Sequence, residues 1–323
     1  MIYPLYSTIM PKYTFLLPAY KARYLDEMLH SIQKQTYTDF KVLISDDCSP
    51  EDIYSVCEPY LQDNRFQYRR NEQNMGGANL VSHWNLLIDL CNTEYLIMAS
   101  DDDIYASTYL EEIETLRNKY PTCNLFRSRV SVINAQREAL TDDRIYEEYV
   151  SQLEFIAQCY DSTNIKCVAN YVYKTEAIQS IGAFVNFPLA WFSDTATAML
   201  MAEMGCVNTS KCLFFFRQSG INVSCKTNTQ KEAIQKIKAT LQYDLWLKDL
   251  LQKSIIIGKY EKQLKQFIKS SHTNNIPIMI GYDIASCGIY DFFKTLRQMS
   301  VQGYSRDHYF NYFKRKLFKL THR

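Results

Sequence analysis

Three adjacent carboxylates, Asp101-Asp102-Asp103, follow Ser100 and the apolar run Tyr95-Leu96-Ile97-Met98-Ala99. Neighbouring Asp side chains repel one another, so keeping them ionised at a strand end is costly unless a cation or a donor-rich ligand offsets the charge. Ligation by oxygen alone favours Mg²⁺ or Mn²⁺, with a diphosphate behind it. Read by itself the tripeptide also fits a solvated acidic turn capping a helix that starts near Ala106. A second pair, Asp46-Asp47, closes another apolar run, and there turn chemistry and a helix N-cap coincide in Asp46-Asp47-Cys48-Ser49-Pro50.

These side chains need elements to aim them, and the pattern supplies an alternation. Positions 13–17 read as a strand ended by Pro18, and Tyr24, Leu25, Met28, Leu29 and Ile32 then recur at helical spacing. Strand 40–45, helix 53–61, strand 66–68, loop 74–77, helix 78–90 and strand 95–99 follow. Strand-helix alternation predicts an α/β fold, a parallel sheet with helices on both faces and ligands at the carboxyl ends of its strands, so both Asp clusters fall on one rim. Beyond it, 109–116 reads as helical, 125–133 as extended, 152–160 as helical, 168–173 as extended, 183–190 as irregular, 195–204 as helical and 213–217 as a compact strand. From residue 229 long helical patterns dominate, 255–268 among them.

Composition bounds the class. A chain of 323 residues, 47% hydrophobic and 22% charged, is ordinary globular material with room for a full core. No run approaches a membrane span and the first ten residues lack the build of an export signal, so the expected address is cytoplasmic. The 10 cysteines are scattered without a Cys-x-x-Cys pair and read as reduced, buried filler. The 5 histidines show no zinc spacing. The net charge of +1 hides an asymmetry: from Lys226 to Arg323 there are 18 Lys and Arg against 7 Asp and Glu, leaving the preceding part net negative. Acidic phosphates, such as lipid headgroups, are natural partners for such a module, and a solvated helical face has the same composition.

Five segments in order resemble glycosyltransferase family 2, nucleotide-sugar-dependent enzymes with a GT-A fold: Leu17-Pro18-Ala19-Tyr20, Ser31 to Thr36, Ile44 to Ser49, the loop Asn71 to Asn79, and Tyr95 to Tyr105. The resemblance covers about the first 220 residues. It implies a nucleotide-sugar-binding half over 12–105 and an acceptor-binding half over 106–225; charge and helical patterning add a basic, mainly helical region over 226–323. It further implies that Pro18, Ala19, Tyr20, Asp46, Asp47, Gly77, Asn79, Ser100, Asp101 and Arg217 border the donor. Among them Tyr20 stacks on the base, Asp47 accepts from the ring N–H, Asp101 faces the ribose hydroxyls, and Arg217 clamps the diphosphate or forms an ordinary ion pair. Asp102 takes Mn²⁺ or Mg²⁺, and Asp103 is left as a helix cap. Ser100 stands where the family commonly has Asp, and Cys48 where it has Gly or Asn. The segment Trp191-Phe192-Ser193-Asp194-Thr195 resembles the family's late aspartate, which makes Asp194 the base that takes the acceptor proton in an inverting transfer from a UDP-sugar; a helix N-cap has the same signature.

A sugar-phosphate nucleotidyltransferase would open with a Gly-rich, Arg-containing loop, and a processive synthase would carry membrane spans and Gln-x-x-Arg-Trp; none is present. A non-catalytic scaffold of the same fold is the alternative, favoured by Ser100 and opposed by Asp102 and Asp194. Near the C-terminus Phe310, Tyr312, Phe313, Leu317, Phe318 and Leu320 interleave with Lys314, Arg315, Lys316 and Lys319, which suits peripheral contact with the inner face of a cell membrane. That location fits a lipid-linked saccharide acceptor; a helix docking on a twin subunit in a homodimer has the same composition. Nothing matches a nucleic-acid module, so no nucleic-acid partner is expected.

Overall fold

A computed structural model describes residues 10–161, 163–218, 229–253, 276–321 and positions 262, 266, 269 and 270. The expected helix over 255–268 and the domain boundary near Cys225 lie outside the described residues.

The strands are β1 (Tyr13–Ala19), β2 (Phe40–Asp46), β3 (Phe66–Arg70), β4 (Tyr95–Met98), β5 (Ile104–Tyr105), β6 (Leu125–Ile133), β7 (Ala139–Asp142), β8 (Tyr149–Val150), β9 (Tyr171–Lys174) and β10 (Cys206–Arg217). They form one sheet in the order β3-β2-β1-β4-β9-β6-β10-β5, with β7 on β6 and β8 on β10. The β3-β2-β1-β4 part is parallel and β9 pairs antiparallel to both β4 and β6. All of β4 is buried and β1 nearly so, as expected of strands covered on both faces. Pro18 sits inside β1 rather than ending it. Leu16 already points its carbonyl at β4, to Ala99 N, and pairing with β4 stops at Leu16 opposite Met98, so the missing Pro18 N–H removes no ladder bond.

Helix α1 (Leu25–Gln33) buries Leu25, Met28, Leu29 and Ile32, the stripe its spacing predicts. The expected helix 53–61 is α2 (Ile53–Cys57) followed by a 3₁₀ turn, Glu58–Gln62, with Pro59 near its start. Helix α3 (Gly76–Asp89) is interrupted at Asn79, whose φ of −155° and ψ of 98° are not helical. Helices α4 (Tyr109–Lys119), α5 (Gln152–Gln158), α6 (Thr175–Ser180) and α7 (Ser193–Met201) follow. The 213–217 strand is the end of the 12-residue β10. The chain divides into two compact units, Met1–Phe184 with Thr197–Ser219, and Val185–Ala196 with Gly220–Arg323. In the second unit α8 (Gln230–Lys253) receives the Phe187 and Phe192 rings against Tyr243, Phe192 stacked at 4.7 Å.

Candidate functional site

From β1 the chain builds outward through β2 and β3, then returns to place β4 on the other side of β1. The carboxyl ends of β1 and β4 therefore flank the point where strand order reverses, the place an open α/β sheet offers to a ligand. Tyr20 and Lys21 leave β1 there, and Ser100 to Asp103 leave β4. The Asp101 carboxylate accepts from the Tyr20 amide at 2.9 Å and the Lys21 amide at 2.7 Å. The Lys21 ammonium closes the arrangement, 3.0 Å from Asp101 Oδ1 and 2.6 Å from Asp102 Oδ2. Burial works against the charge on Lys21, yet Asp101 and Asp102 raise its pKa well above the usual range. Burial pushes the Asp101 carboxyl up, and Lys21 pulls it back. Tyr20 itself is 42% exposed, its ring free of the core.

Asp103 is not a helix cap. Its carboxylate accepts from the Arg217 amide at 2.9 Å and from the Ser100 hydroxyl, while α4 starts only after Thr108. Burial and the Asp102 charge push its pKa up to about 7. Arg217 is buried completely, behind the carboxylate turn: its guanidinium donates to Asp102 O at 2.9 Å, to Ala135 O and to Glu27 Oε2 at 2.6 Å, and lies 4.3 Å from the Tyr24 ring centroid. Pairing of β10 with β5, Phe214 opposite Tyr105, brings Arg217 to that position. The arrangement is that of a buried brace for the turn, and it does not present the paired N–H donors to a diphosphate.

On β2, Asp46 is fully buried; it accepts from Ser49 N at 2.8 Å, from Tyr68 OH at 2.7 Å and from the Arg70 guanidinium. Asp47 is held by the following loop: Oδ1 accepts from Asn71 Nδ2 and Met75 N, both at 2.9 Å, and Oδ2 from Gly76 N at 2.7 Å. Burial opposes ionisation of Asp47, but the Met75, Asn71 and Gly76 donors bring its pKa below the usual value. A Cβ on Gly76 would stand 2.9 Å from Asp47 Oδ2. Cys48 adopts φ 52°, the left-handed conformation that Gly and Asn favour, so the turn keeps its geometry despite the cysteine. Pro18 and Ala19 end β1; Gly77 lies in the first turn of α3, and Asn79 Oδ1 accepts from Ser82 N, capping the helix beyond the kink.

Asp194 stands at the first turn of α7, half-exposed, its Oδ1 accepting from Thr195 N at 2.7 Å. It follows a loop in which Leu189, Ala190 and Phe192 all have positive φ, a concentration of backbone strain of the kind found beside working residues.

Lys21, Gly76 and Asn71 are the contributors that side-chain type alone did not single out. Lys21 directly follows the Leu17 to Tyr20 segment, and Gly76 stands beside Gly77 at the start of α3. Among the described residues no group of three or more His, Cys, Asp and Glu is arranged to hold a metal ion. The oxygens at the β4 turn still suit a hard cation as a donor set: two carboxylates there already share one ammonium, and a single carboxylate suffices for an ion whose other ligands are diphosphate and water.

The family model described as Glycosyl transferase family 2 matches residues 14–182, more than half the chain. The glycosyltransferase GlyG of Streptococcus pneumoniae is 31% identical over 100 residues, 30% of this chain and 32% of that protein. A GalNAc(5)-diNAcBac-PP-undecaprenol beta-1,3-glucosyltransferase of Campylobacter jejuni is 29% identical over 112 residues, 34% of this chain and 36% of that protein. The chain thus spans about a third of the length of these curated relatives. Staphylococcus aureus TarS 1-349 in complex with UDP-GlcNAc superposes with a TM-score of 0.66 at 13% identity, over 94% of this chain and 90% of that one. The mannosyltransferase PcManGT of Pyrobaculum calidifontis, in complex with GDP-Man and Mn²⁺, superposes with a TM-score of 0.54 at 16% identity, over 97% and 85%. At these identities the superpositions establish the shared fold, GT-A in architecture.

Proposed function

Since the chain belongs to glycosyltransferase family 2, we propose that it moves a single sugar from a UDP-sugar to an acceptor hydroxyl, with inversion, the acceptor being a lipid-linked saccharide in surface-polysaccharide synthesis. The observation that carries this reading is the convergence of Tyr20, Lys21, Asp101 and Asp102 at the β1/β4 switch point. The UDP-GlcNAc held by TarS supports the choice of base, and the undecaprenol-linked acceptor named for the Campylobacter jejuni enzyme supports the choice of acceptor.

In this reading the exposed Tyr20 ring covers one face of the base. Asp47 Oδ2, which already accepts from Gly76 N, has a lone pair left for the ring N–H, whereas Oδ1 is filled by two donors. Asp101 fixes the Tyr20-Lys21 backbone, with Oδ1 facing a ribose hydroxyl. Asp102 would hold Mn²⁺ or Mg²⁺, which would supply charge stabilisation to the leaving diphosphate. Lys21 shifts its ammonium from the two carboxylates toward the diphosphate oxygens. Asp194 takes the proton of the acceptor hydroxyl as that oxygen bonds to the anomeric carbon and the bond to the diphosphate oxygen breaks. Arg217 and Asp103 keep the carboxylate turn in place from behind.

Calorimetric titration with UDP, GDP and dTDP, each with and without Mn²⁺, tests the donor half of the proposal. UDP should bind best and in a Mn²⁺-dependent way, and Asp102→Ala should lose that dependence. Asp194→Asn should bind UDP normally while transfer from a UDP-sugar to a lipid-linked acceptor falls by about 10²- to 10⁴-fold, the usual weight of a general base. If no nucleotide binds, the chain is a scaffold of the same fold.

A further inference from the structure

The C-terminal unit carries a second surface with chemistry of its own. The helix Ile289–Val301 buries Phe292, Thr295, Leu296 and Met299 and turns Ile289, Tyr290 and Phe293 outward. The helix Tyr309–Thr321 turns out Phe310, Phe313 and Leu317. These six side chains are between 44% and 76% exposed, far more large apolar surface than isolated outward residues explain. They form one patch, because the Phe313 ring lies 5.9 Å from Phe293 and 5.0 Å from Phe292.

The composition expected for membrane contact divides differently from its linear order. Tyr312 is buried, with its hydroxyl donating to Pro277 O. Arg315 and Lys316 donate to the backbone carbonyls of Gly281, Ala285 and Cys287, at the end of the helix Ile276–Asp283 and the turn after it. Through these bonds they tie the last helix down. Phe318, Lys319 and Leu320 carry side chains outside those described. The cations beside the exposed rings are Lys294, Arg297 and Lys314, the last lying 4.4 Å from the Phe310 ring centroid. On these two helices Asp291 is the single acidic residue.

We propose that the face formed by Ile289, Tyr290 and Phe293 together with Phe310, Phe313 and Leu317 seats this unit on an anionic phospholipid surface, its rings at headgroup depth and Lys294, Arg297 and Lys314 on lipid phosphates. Charge decides between this occupant and a second copy. A self-docked face would bring these three cations against the same three of the other copy, with Asp291 the single carboxylate on the two helices, and lysine is depleted from protein interfaces. An anionic bilayer satisfies rings and cations together. No helix among the described residues is long and apolar enough to cross a membrane, so the contact is peripheral in kind. The inference goes beyond the proposed transfer reaction and stands or falls apart from it.

The test is co-sedimentation of the full chain with phosphatidylglycerol-phosphatidylcholine vesicles and with phosphatidylcholine vesicles, with UDP binding and sedimentation velocity measured on the same preparations. The wild type should bind the anionic vesicles and bind the neutral ones about tenfold or more weakly. Tyr290→Ser with Phe310→Ser, and separately Lys294→Glu with Lys314→Glu, should each lower binding to anionic vesicles about tenfold, with UDP affinity and thermal unfolding unchanged. All four side chains are exposed, so a loss of fold is not expected. Equal binding by the variants, or none by the wild type, overturns the proposal. A wild-type dimer that both variants dissociate assigns the face to a second copy instead and overturns it as well.

Discussion

Lys21 is the residue on which the proposed donor site turns. Its ammonium bridges two carboxylates that would otherwise repel each other and offsets one of their two charges, so the site carries its own counter-ion. A divalent cation held by Asp102 would compete with that ammonium, and a diphosphate would offer Lys21 new partners. Lys21→Met should therefore tighten Mn²⁺ binding in the absence of nucleotide by about tenfold, read by electron paramagnetic resonance of free Mn²⁺, while weakening UDP binding without metal. Unchanged Mn²⁺ affinity would remove Lys21 from this role. Gly76 is constrained for a different reason: a methyl group there meets Asp47 Oδ2 at 2.9 Å and Leu80 at 3.3 Å. Gly76→Ala should push the start of α3 off Asp47 and weaken UDP about tenfold by calorimetry, with little change in global stability because Gly76 is half-buried at the helix end.

Two short elements carry strain or capping that measurement can isolate. Cys48 pays for the tight turn after β2 with a left-handed backbone, and Cys48→Gly should raise stability by about 0.5–1 kcal/mol in urea unfolding with the turn retained. Asn79→Ala removes the cap beyond the α3 kink and should cost about 1 kcal/mol in the same assay. Both positions show where sequence reading reached and where it stopped. Buried strands and the α1 stripe were legible because period and composition agree with burial on both faces. The carboxylate clusters were legible as ends of apolar runs. Arg217 was not, since an Arg after three phenylalanines has no local sign that it will fold under the Asp102 backbone, a contact 115 residues distant in the chain. Nor was the fate of Asp103, whose partners are set by β10 pairing with β5. The Pro59 break in the second helix and the inward turn of Tyr312 belong to the same class, in which a local preference or a tertiary contact overrides a period.

At the scale of the molecule the sheet separates holding from doing. The carboxyl ends of β1 and β4 carry Tyr20, Lys21 and the Asp101–Asp103 carboxylates of the proposed donor site, while their amino ends are tied to α4 by Glu114, which accepts from Lys12 Nζ at 3.0 Å, Tyr13 OH at 2.7 Å and Arg117 Nη2 at 2.7 Å. Tyr13 in turn stacks on Tyr95 at the start of β4. Burial works against the Glu114 charge, but Arg117, Tyr13 and Lys12 lower its pKa to about 2. A carboxylate depressed in the folded state contributes stability that is present above the unfolded value near 4.5 and is lost as pH falls toward 2. Glu114→Gln should thus be less stable than the wild type by about 1–2 kcal/mol at pH 7, after allowance for solvent screening of a partly exposed cluster, and the gap should close between pH 5 and pH 2. Chemical denaturation across that range reads the difference directly. UDP affinity at pH 7 should be the same in both proteins, because the clamp lies at the opposite end of β1 from Tyr20 and Lys21; a variant that lost stability and UDP binding together would mean that the two ends of the strand are coupled, and that the sheet transmits strain from its supporting edge to its binding edge.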